Sequence, residues 1–302
     1  MSSPDQLQHF LFSDADIRGQ LVGLEQCYRE ALENHDYPEI VQGLIGEFMA
    51  AATLLSGTIK IDGTLSIQAQ GDGNLSLIMA ECRNNQEVRA VARWRDDTRI
   101  PDQLDTLHDL LGHGRLVITI DPEQGQRYQG IVPLEGSSLA RCLESYFDQS
   151  EQLKTRIWLS ASPGEGASGL LLQAMPSTAD LTDRDSWPRI CLLTDTLTDQ
   201  ELQALQNVSL IYRLYHEEEV SLYPPSEVSF RCHCNRDRTM NALISLGQEE
   251  LEELLAEQGR IDVKCEFCNK DYHFNREDLE PYMMEQDITE MANDLSPSRT
   301  LH

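Results

Sequence analysis

The sequence predicts an α+β fold in three parts: an N-terminal, largely antiparallel sheet packed with helices, a helical connecting region, and a small C-terminal cysteine-bearing module. Three observations support it. The apolar period changes from three or four residues to two after Gly57, which marks a passage from helices to strands. Residues 178–231 are acidic with few strand signals, and four cysteines cluster after Arg231.

Composition limits the partners of the chain. Its 302 residues correspond to about two domains. With 24 Lys and Arg against 51 Asp and Glu, the net charge is −27, which argues against nonspecific binding of nucleic acid or of an anionic membrane surface. Hydrophobic residues make up 40% of the chain, which is enough for a packed core.

Neither a membrane span nor a secretory leader is predicted. The most apolar stretch, residues 44–55, contains Glu47 and is shorter than the roughly 20 residues of a spanning helix. The first ten residues contain no basic region followed by an apolar run. We therefore expect a cytoplasmic protein, in a compartment where thiols are kept reduced.

Two helices are predicted near the N-terminus. Residues 17–34 place Leu21, Leu24, Tyr28 and Leu32 at helical spacing. After Pro38 a second helix runs to about residue 55, and it is apolar or small on most faces, as in a buried helix.

The remainder of the N-terminal part alternates apolar and polar residues, as strands do. Strands are predicted at residues 58–61, 64–69, 74–79, 88–94, 116–120, 128–132, 155–159 and 170–174, and a helix at 138–149. Asp62-Gly63 and Gly71-Asp72-Gly73 are predicted turns between strands. Successive hairpins indicate a mainly antiparallel sheet.

Domain boundaries follow from these changes of pattern. We expect an α/β core at residues 1–177, a connecting region of amphipathic helices at 178–231, a cysteine-bearing module at 232–292 and a tail at 293–302. Within the module, residues 248–257 are predicted to form an acidic helix.

The clustered cysteines have metal-ligand spacing. Cys232-His233-Cys234 and Cys265-Glu266-Phe267-Cys268 are separated by thirty residues. Two short thiol pairs flanking such an insertion are typical of a zinc site, because Zn²⁺ takes four tetrahedral ligands and thiolates suit it. Nearby cations can offset the thiolate charge: Arg231, Arg236, Arg238, Lys264 and Lys270. His233 and His273 are alternative ligands, while Cys27, Cys82, Cys142 and Cys191 are expected to be small buried side chains.

Such a site would make the module sensitive to oxidation. Structural zinc contributes about 10–16 kcal/mol of apparent binding energy in small metal-dependent domains, and a module of about sixty residues has only a marginal core. If an oxidant joined the thiols within each pair, the metal would leave and nothing would hold the two ends of the insertion together. We would then expect the module to unfold and to remove whatever the connecting region packs against.

The chain also resembles a known family. The two cysteine motifs with their spacing, Tyr212-Arg213-Leu214-Tyr215-His216-Glu217-Glu218-Glu219-Val220, Gln70-Gly71-Asp72-Gly73, and the segments 24–38 and 116–130 are similar to the heat-shock-protein-33 family of redox-regulated holdase chaperones. The resemblance covers nearly the whole chain, and the four-cysteine spacing is its most specific part.

The resemblance implies an ATP-independent holdase that is inactive while reduced and zinc-bound. On oxidation, it implies disulfides Cys232–Cys234 and Cys265–Cys268, loss of zinc, unfolding of the C-terminal region, homodimer formation and binding of unfolding client proteins. The connecting region would then expose Ile190, Leu192, Leu193, Leu202, Leu205, Leu210 and Ile211. The negative charge would help to keep chaperone–client complexes soluble.

Other functions remain as alternatives. A thiol-disulfide oxidoreductase could use Cys265-X-X-Cys268, but it would need a βαβ setting, and a static zinc module for protein contact is also compatible with the motif. Gly164 to Gly169 matches a dinucleotide pattern but lies before only six residues and Pro176, so a hairpin loop is expected. Since the chain contains no Gly-Lys dipeptide, it has no nucleotide-binding phosphate loop, and we expect no enzyme activity.

Overall fold

The computed structural model describes residues 5–59, 62–83, 86–95, 107–134, 137–176 and 185–282. The chain divides into two compact units, Met1–Arg231 and Cys232–His302. Predicted features in residues 283–302, including the tail, lie outside the described residues. Each unit is considered by itself below.

The first unit contains both strands and helices. Its strands are β1 Gln6–Phe12, β2 Ile17–Leu24, β3 Gly63–Gly71, β4 Leu75–Arg83, β5 Glu87–Trp94, β6 Gly114–Pro122, β7 Tyr128–Pro133, β8 Thr155–Ser162, β9 Gly166–Ala174, β10 Val220–Leu222, β11 Ser226–Glu227 and β12 Ser229–Phe230. Its helices are α1 Gln26–Leu32, α2 Glu39–Thr58, α3 Leu107–Leu111, α4 Leu139–Tyr146, α5 Ser186–Thr194, α6 Asp199–Ala204 and α7 Asn207–Tyr215. The fold class is α+β, as predicted.

These strands form two six-stranded sheets. The first sheet has the order β10-β1-β2-β9-β8, with β11 also on β1, and all of its pairs are antiparallel. The second sheet has the order β12-β5-β4-β3-β6-β7, and its β12–β5 pair is parallel. The prediction of a mainly antiparallel sheet is confirmed, but the strands separate into two sheets.

Helix α2 contacts strands of both sheets, and its apolar faces join them into one core. The sequence predicted this buried helix. By length and composition α2 could cross a membrane, contrary to the expectation that the apolar stretch is too short, but 61% of its most apolar window is buried inside the protein. A buried core helix of a globular protein has the same composition.

The predicted helix over residues 17–34 is wrong in its first half. Residues Ile17–Leu24 form β2, and only Gln26–Leu32 are helical. Strand β2 is buried on both faces: Ile17 and Leu21 pack in one apolar cluster, whereas Val22 and Leu24 pack in the other. A strand with apolar residues on both faces lacks the alternation of apolar and polar residues that marks a strand. The apolar residues of β2 therefore match the spacing of a helix.

The other predicted elements fall close to the observed ones. The strand predicted at 58–61 is wrong at Thr58, which ends α2, and residues 60 and 61 lie outside the described residues. The helix predicted at 138–149 is α4 followed by a π-helical turn, Phe147–Glu151. The glycine-rich segment at residues 164–169 lies at the expected hairpin: its first two residues are in the loop after β8, with Gly164 at φ +74°, and the others begin β9.

The connecting region covers the outer face of the first sheet. Helices α5, α6 and α7 contribute to an apolar cluster with strand residues of β1, β2 and β9, and its buried members are Phe10, Phe12, Ala15, Ile17, Leu21, Leu170, Leu172, Ile190, Leu202, Leu210, Ile211, Leu214 and Tyr215. The sequence predicted the helices. It did not predict the short strands β10, β11 and β12, which extend the edges of the two sheets.

The first unit contains a packing surface for the connecting region. Within this unit, which ends at Arg231, the apolar contacts of α5–α7 are to the first sheet. Polar contacts add to them: Arg156 on β8 binds Asp195 after α5 at 2.8 Å, and Arg189 binds Glu218 at 2.8 Å. A partly exposed ion pair contributes about 0–1 kcal/mol, whereas each buried Leu or Ile contributes about 1.5–3 kcal/mol. Apolar burial therefore contributes more than the ion pairs to the free energy that keeps these helices on the sheet.

Two glycines give a matched test of the packing around the second sheet. A Cβ at Gly71 would lie 1.9 Å from the carbonyl oxygen of Leu111, whereas a Cβ at Gly43 in α2 would meet no atom within 4 Å. We expect Gly71→Ala to destabilise the first unit by about 1–3 kcal/mol, because backbone must move. Gly43→Ala should instead stabilise it by about 0.5–1 kcal/mol through lower chain entropy. Thermal unfolding followed by circular dichroism measures both, and equal midpoints for the two variants would contradict the packing described here.

Candidate metal centre

The second unit is a small helix–hairpin module. It contains α8 Arg236–Ile244, α9 Gln248–Gln258 and the antiparallel hairpin of β13 Ile261–Lys264 and β14 Asp271–Phe274, and residues 276–282 are helical. The predicted acidic helix corresponds to α9, while α8 was not predicted. The buried core consists of Leu243, Leu251, Leu255, Ile261, Tyr272, Phe274 and Leu279. So small an apolar core is marginal by itself.

Local structure positions each cysteine pair. Cys232 and Cys234 directly precede α8, whose N-cap Asn235 accepts a hydrogen bond from the Arg238 N–H at 2.8 Å. Cys265 and Cys268 lie in the turn of the hairpin, where the Cys265 N–H donates to the Lys270 carbonyl at 2.9 Å. Asn269 closes this turn at φ +55°, a left-handed conformation that asparagine tolerates.

The fold brings the four predicted cysteines together. All four Sγ atoms lie within 4.8 Å of one another, with Cys232–Cys265 at 3.6 Å and Cys234–Cys268 at 3.5 Å. For a tetrahedral site with Zn–S bonds of 2.3 Å, the sulfur–sulfur edge is about 3.8 Å. A disulfide would need about 2.05 Å. The cluster therefore fits a metal ion and holds four reduced thiols.

A hydrogen bond reaches one of the sulfurs from outside the cluster. The Tyr272 hydroxyl donates to Cys234 Sγ at 3.1 Å. Cys232 Sγ and Cys268 Sγ contact the sulfurs of Cys265 and Cys234, respectively. Burial raises the pKa of the Cys232 and Cys268 thiols, whereas at Cys234 burial is outweighed by hydrogen bonds from Tyr272 and the other thiols, so that its pKa is lowered. Hydrogen bonds of this kind stabilise thiolates, the form that binds metal.

Four of the five predicted cations contact carboxylate or backbone oxygens, whereas Lys270 Nζ lies 5.4 Å from the centroid of the Tyr272 ring. Arg231 binds Glu87 at 2.9 Å, and Arg236 binds Asp278 at 2.8 Å. Lys264 lies 3.9 Å from Asp271, and Arg238 donates to the His233 carbonyl at 3.0 Å. These residues thus pair with carboxylates or backbone oxygens. The N-terminus of α8, next to Cys234, is a further source of positive potential near the thiols.

Neither alternative histidine joins the cluster of possible ligands in the described part of the chain. His273 Nδ1 instead lies 2.7 Å from Asp262 Oδ1 across the hairpin. The role of Tyr272 was missed, because a hydroxyl four residues beyond Cys268 has no spacing signal in the sequence.

The scattered cysteines are all buried, as expected of small core side chains. Burial raises the pKa of Cys82 to about 12 and that of Cys191 to about 11. Cys27 donates from its thiol to Asp5 at 2.9 Å, and burial raises its pKa as well. Since the thiolate is the reactive form, these side chains are far less reactive than free cysteine at neutral pH.

Comparison with known proteins identifies the family. The family model described as Hsp33 protein matches residues 5–275. The chain belongs to the Hsp33 family. Its relatives named 33 kDa chaperonin include one from Pseudomonas aeruginosa, 46% identical with all of both chains covered, and one from Azotobacter vinelandii, 48% identical over 92% of this chain and 94% of the relative.

Solved structures agree on the fold. The crystal structure of the 33 kDa chaperonin from Thermotoga maritima matches with a TM-score of 0.80 at 21% identity, and it covers 94% of this chain and 99% of that one. Hsp33 membership makes this protein a chaperone and not an enzyme. The setting of Cys265-X-X-Cys268 agrees, because the motif lies in a β-hairpin turn and not at the start of a helix in a βαβ unit.

Metal removal should unfold the second unit selectively. We expect a strong chelator, added under reducing conditions, to abolish amide-exchange protection in α8, α9, β13 and β14, because the small core cannot replace about 10–16 kcal/mol of metal binding. Protection in α2 and β3 should persist, since these elements belong to the large core. Hydrogen exchange with mass spectrometry measures this, and full protection of the hairpin in the chelated protein would contradict the expectation.

Proposed function

We propose that this Hsp33 protein is a redox-regulated, ATP-independent holdase that is inactive while reduced and zinc-bound. The observation that supports it most is the meeting of four reduced sulfurs, from both ends of a thirty-residue insertion, within 4.8 Å. A site of this kind makes the folding of one unit depend on the oxidation state of its thiols.

Zinc is the proposed metal, bound by Cys232, Cys234, Cys265 and Cys268. Four thiolates in tetrahedral spacing suit Zn²⁺, which has no redox chemistry of its own. When bound, it supplies four bonds that tie the segment before α8 to the hairpin turn. The neighbouring donor, the Tyr272 hydroxyl, supports the thiolate form of Cys234.

Oxidation is proposed to join Cys232 to Cys234 and Cys265 to Cys268. In each pair two thiolates lose two electrons, and one peroxide molecule takes up these electrons and two protons to become two waters. Two peroxide molecules thus convert four thiolates to two disulfides, and disulfide sulfurs are poor ligands for zinc. Each disulfide closes a short local loop, so neither connects the two segments that the metal connected.

Loss of the metal leaves the second unit with its seven-residue apolar core, which we propose is too small to keep it folded. The chain that follows Arg231 then becomes flexible. Strand β12, only two residues long, is the last element before it and pairs with β5 through Ser229 and Phe230. We propose that the freed chain weakens this short edge strand and, with it, the connecting region.

Release of α5–α7 would expose two apolar surfaces. One is on the helices, where Ile190, Leu202, Leu210 and Ile211 are buried, Leu193 is partly buried, and Leu192 and Leu205 are already exposed. The other is the sheet face that they cover, with Phe10, Phe12, Ile17, Leu21, Leu170 and Leu172. These surfaces are proposed to bind unfolding client proteins and a second copy of the chain in the oxidised cytoplasmic protein. The charge of −27 would keep the complexes dispersed.

Peroxide treatment under mild heat tests the switch. We expect release of one zinc per chain, a gain of activity against the aggregation of a thermally unfolding client, and reversal of that activity by a thiol reductant. Cys191→Ala, which removes a buried thiol outside the cluster, should behave as the unchanged protein does. Zinc loss without gained activity would indicate a static site, and catalytic turnover of a disulfide substrate would indicate an oxidoreductase; either result contradicts the proposal.

The connecting region allows a test that needs no oxidant. Ile211 on α7 is 4% exposed in the cluster against the first sheet, whereas Leu192 on α5 is 68% exposed. Ile211→Asp would place a charge in an apolar contact at a cost of several kcal/mol, so α7 should detach and the reduced, zinc-bound protein should suppress client aggregation. Leu192→Asp should remain inactive until oxidised. Light scattering of a client measures both, and an inactive reduced Ile211→Asp protein with lost α7 protection would refute this role of the helices.

A further inference from the structure

Tyr272 lies at the boundary between the apolar core of the second unit and the sulfur cluster. Its ring belongs to the small core and is 6% exposed, and Lys270 Nζ lies 5.4 Å from the ring centroid. Its hydroxyl reaches Cys234 Sγ at 3.1 Å. One side chain therefore contacts both the packing that forms the hairpin and a proposed metal ligand.

This hydrogen bond crosses between the two cysteine pairs. Tyr272 is on β14, in the same hairpin as Cys265 and Cys268, whereas its acceptor Cys234 precedes α8. Apart from the metal-ligand sulfurs themselves, the hydroxyl thus forms a direct polar connection from the hairpin to the first pair. Such a connection supports the same closure that a metal ion would provide.

The hydrogen bond to Cys234 comes from outside the group of four sulfurs. Cys232 and Cys268, by contrast, contact other sulfurs of the group, those of Cys265 and Cys234. Cys234 accepts from a side-chain hydroxyl, which a single substitution can remove. A hydrogen bond to an ionised sulfur is charge-assisted, and it withdraws electron density from the atom that would attack an oxidant.

We infer that Tyr272 is a positioning residue of the redox switch: its hydroxyl holds the Cys234 thiolate in place as a ligand, slows release of zinc and delays oxidation of that sulfur. This inference rests on the proposed zinc-dependent function and extends it to a residue outside the four ligands. Tyr272 takes no part in the electron transfer, which remains between the paired thiolates and the peroxide.

Tyr272→Phe tests this with little disturbance, because it keeps the buried ring and removes only the hydroxyl. We expect zinc affinity, measured by competition with a chromogenic chelator, to fall about 10- to 100-fold, as is typical when a group that orients a metal ligand is lost. Peroxide-driven zinc release should be correspondingly faster. In the cobalt(II)-substituted protein, the sulfur-to-cobalt charge-transfer band should shift, because the electron density on one ligating sulfur changes.

Two control variants separate a positioning role from a structural one. Tyr28→Phe removes a hydroxyl that donates to the Gln42 carbonyl at 2.9 Å in the first unit, and it should leave all three measurements unchanged. Phe274→Leu alters the fully buried neighbour on β14, so it should lower thermal stability without shifting the cobalt band. Equal affinity, release rate and band position in Tyr272→Phe and the unchanged protein would overturn the inference, as would the same band in Tyr272→Phe and Phe274→Leu.

The outcomes also separate this inference from the proposed function. If the unchanged protein binds zinc but peroxide neither releases it nor activates the chaperone, the switch is wrong, while the affinity and the cobalt band still decide the role of Tyr272. If the unchanged protein is activated by peroxide and Tyr272→Phe matches it in every measurement, the switch stands and the assignment of Tyr272 is wrong.

Discussion

The meeting of the four cysteine sulfurs is the constraint on which the second unit depends. Among the described residues, seven buried side chains form its apolar core, whereas the first unit has a continuous core extending over both sheets and α2. With so little apolar burial, the ends of a thirty-residue insertion stay together only if something joins them. Sulfur–sulfur distances of 3.5 and 3.6 Å fit a metal ion in that role, and the proposed switch makes the fold of this unit conditional on thiol chemistry.

In the first unit, three short helices cover an apolar face of the first sheet. Its first sheet is apolar on both faces: one face packs on α2 within the main core, and the other is covered by α5–α7. Most proteins bury such a sheet permanently between layers. Here the covering layer consists of three short helices, and the chain continues from them through edge strands of two or three residues to Cys232. Three short helices over a large apolar face are the arrangement that the proposed change of exposed surface requires.

Sequence reasoning found the parts that local patterns encode. The four cysteines that the fold brings together follow from spacing alone, and α2, α9 and most strands follow from periodicity. Sequence reasoning failed where packing between distant segments determines the structure. Strand β2 is buried on both faces, so its apolar residues are spaced as in a helix. Strands β10–β12 are too short to show an apolar periodicity. Tyr272 belongs to the same class, since only the folded hairpin brings its hydroxyl to Cys234. The assignment of α5–α7 to the first sheet likewise required the structure, because an amphipathic helix does not specify which surface it covers.

Proximity of the sulfurs does not determine which disulfides form. Distances of 3.6 and 3.5 Å join Cys232 to Cys265 and Cys234 to Cys268, that is, across the two pairs. All four sulfurs lie within 4.8 Å of one another, so these contacts carry little information about which disulfides form. The two possible outcomes differ physically: cross-pair disulfides would keep the insertion closed and the unit folded, whereas local disulfides leave it open. A switch that unfolds therefore needs local pairing, and the short chain within each motif favours it, because sulfurs separated by one or two residues stay close after the tie between the segments is lost.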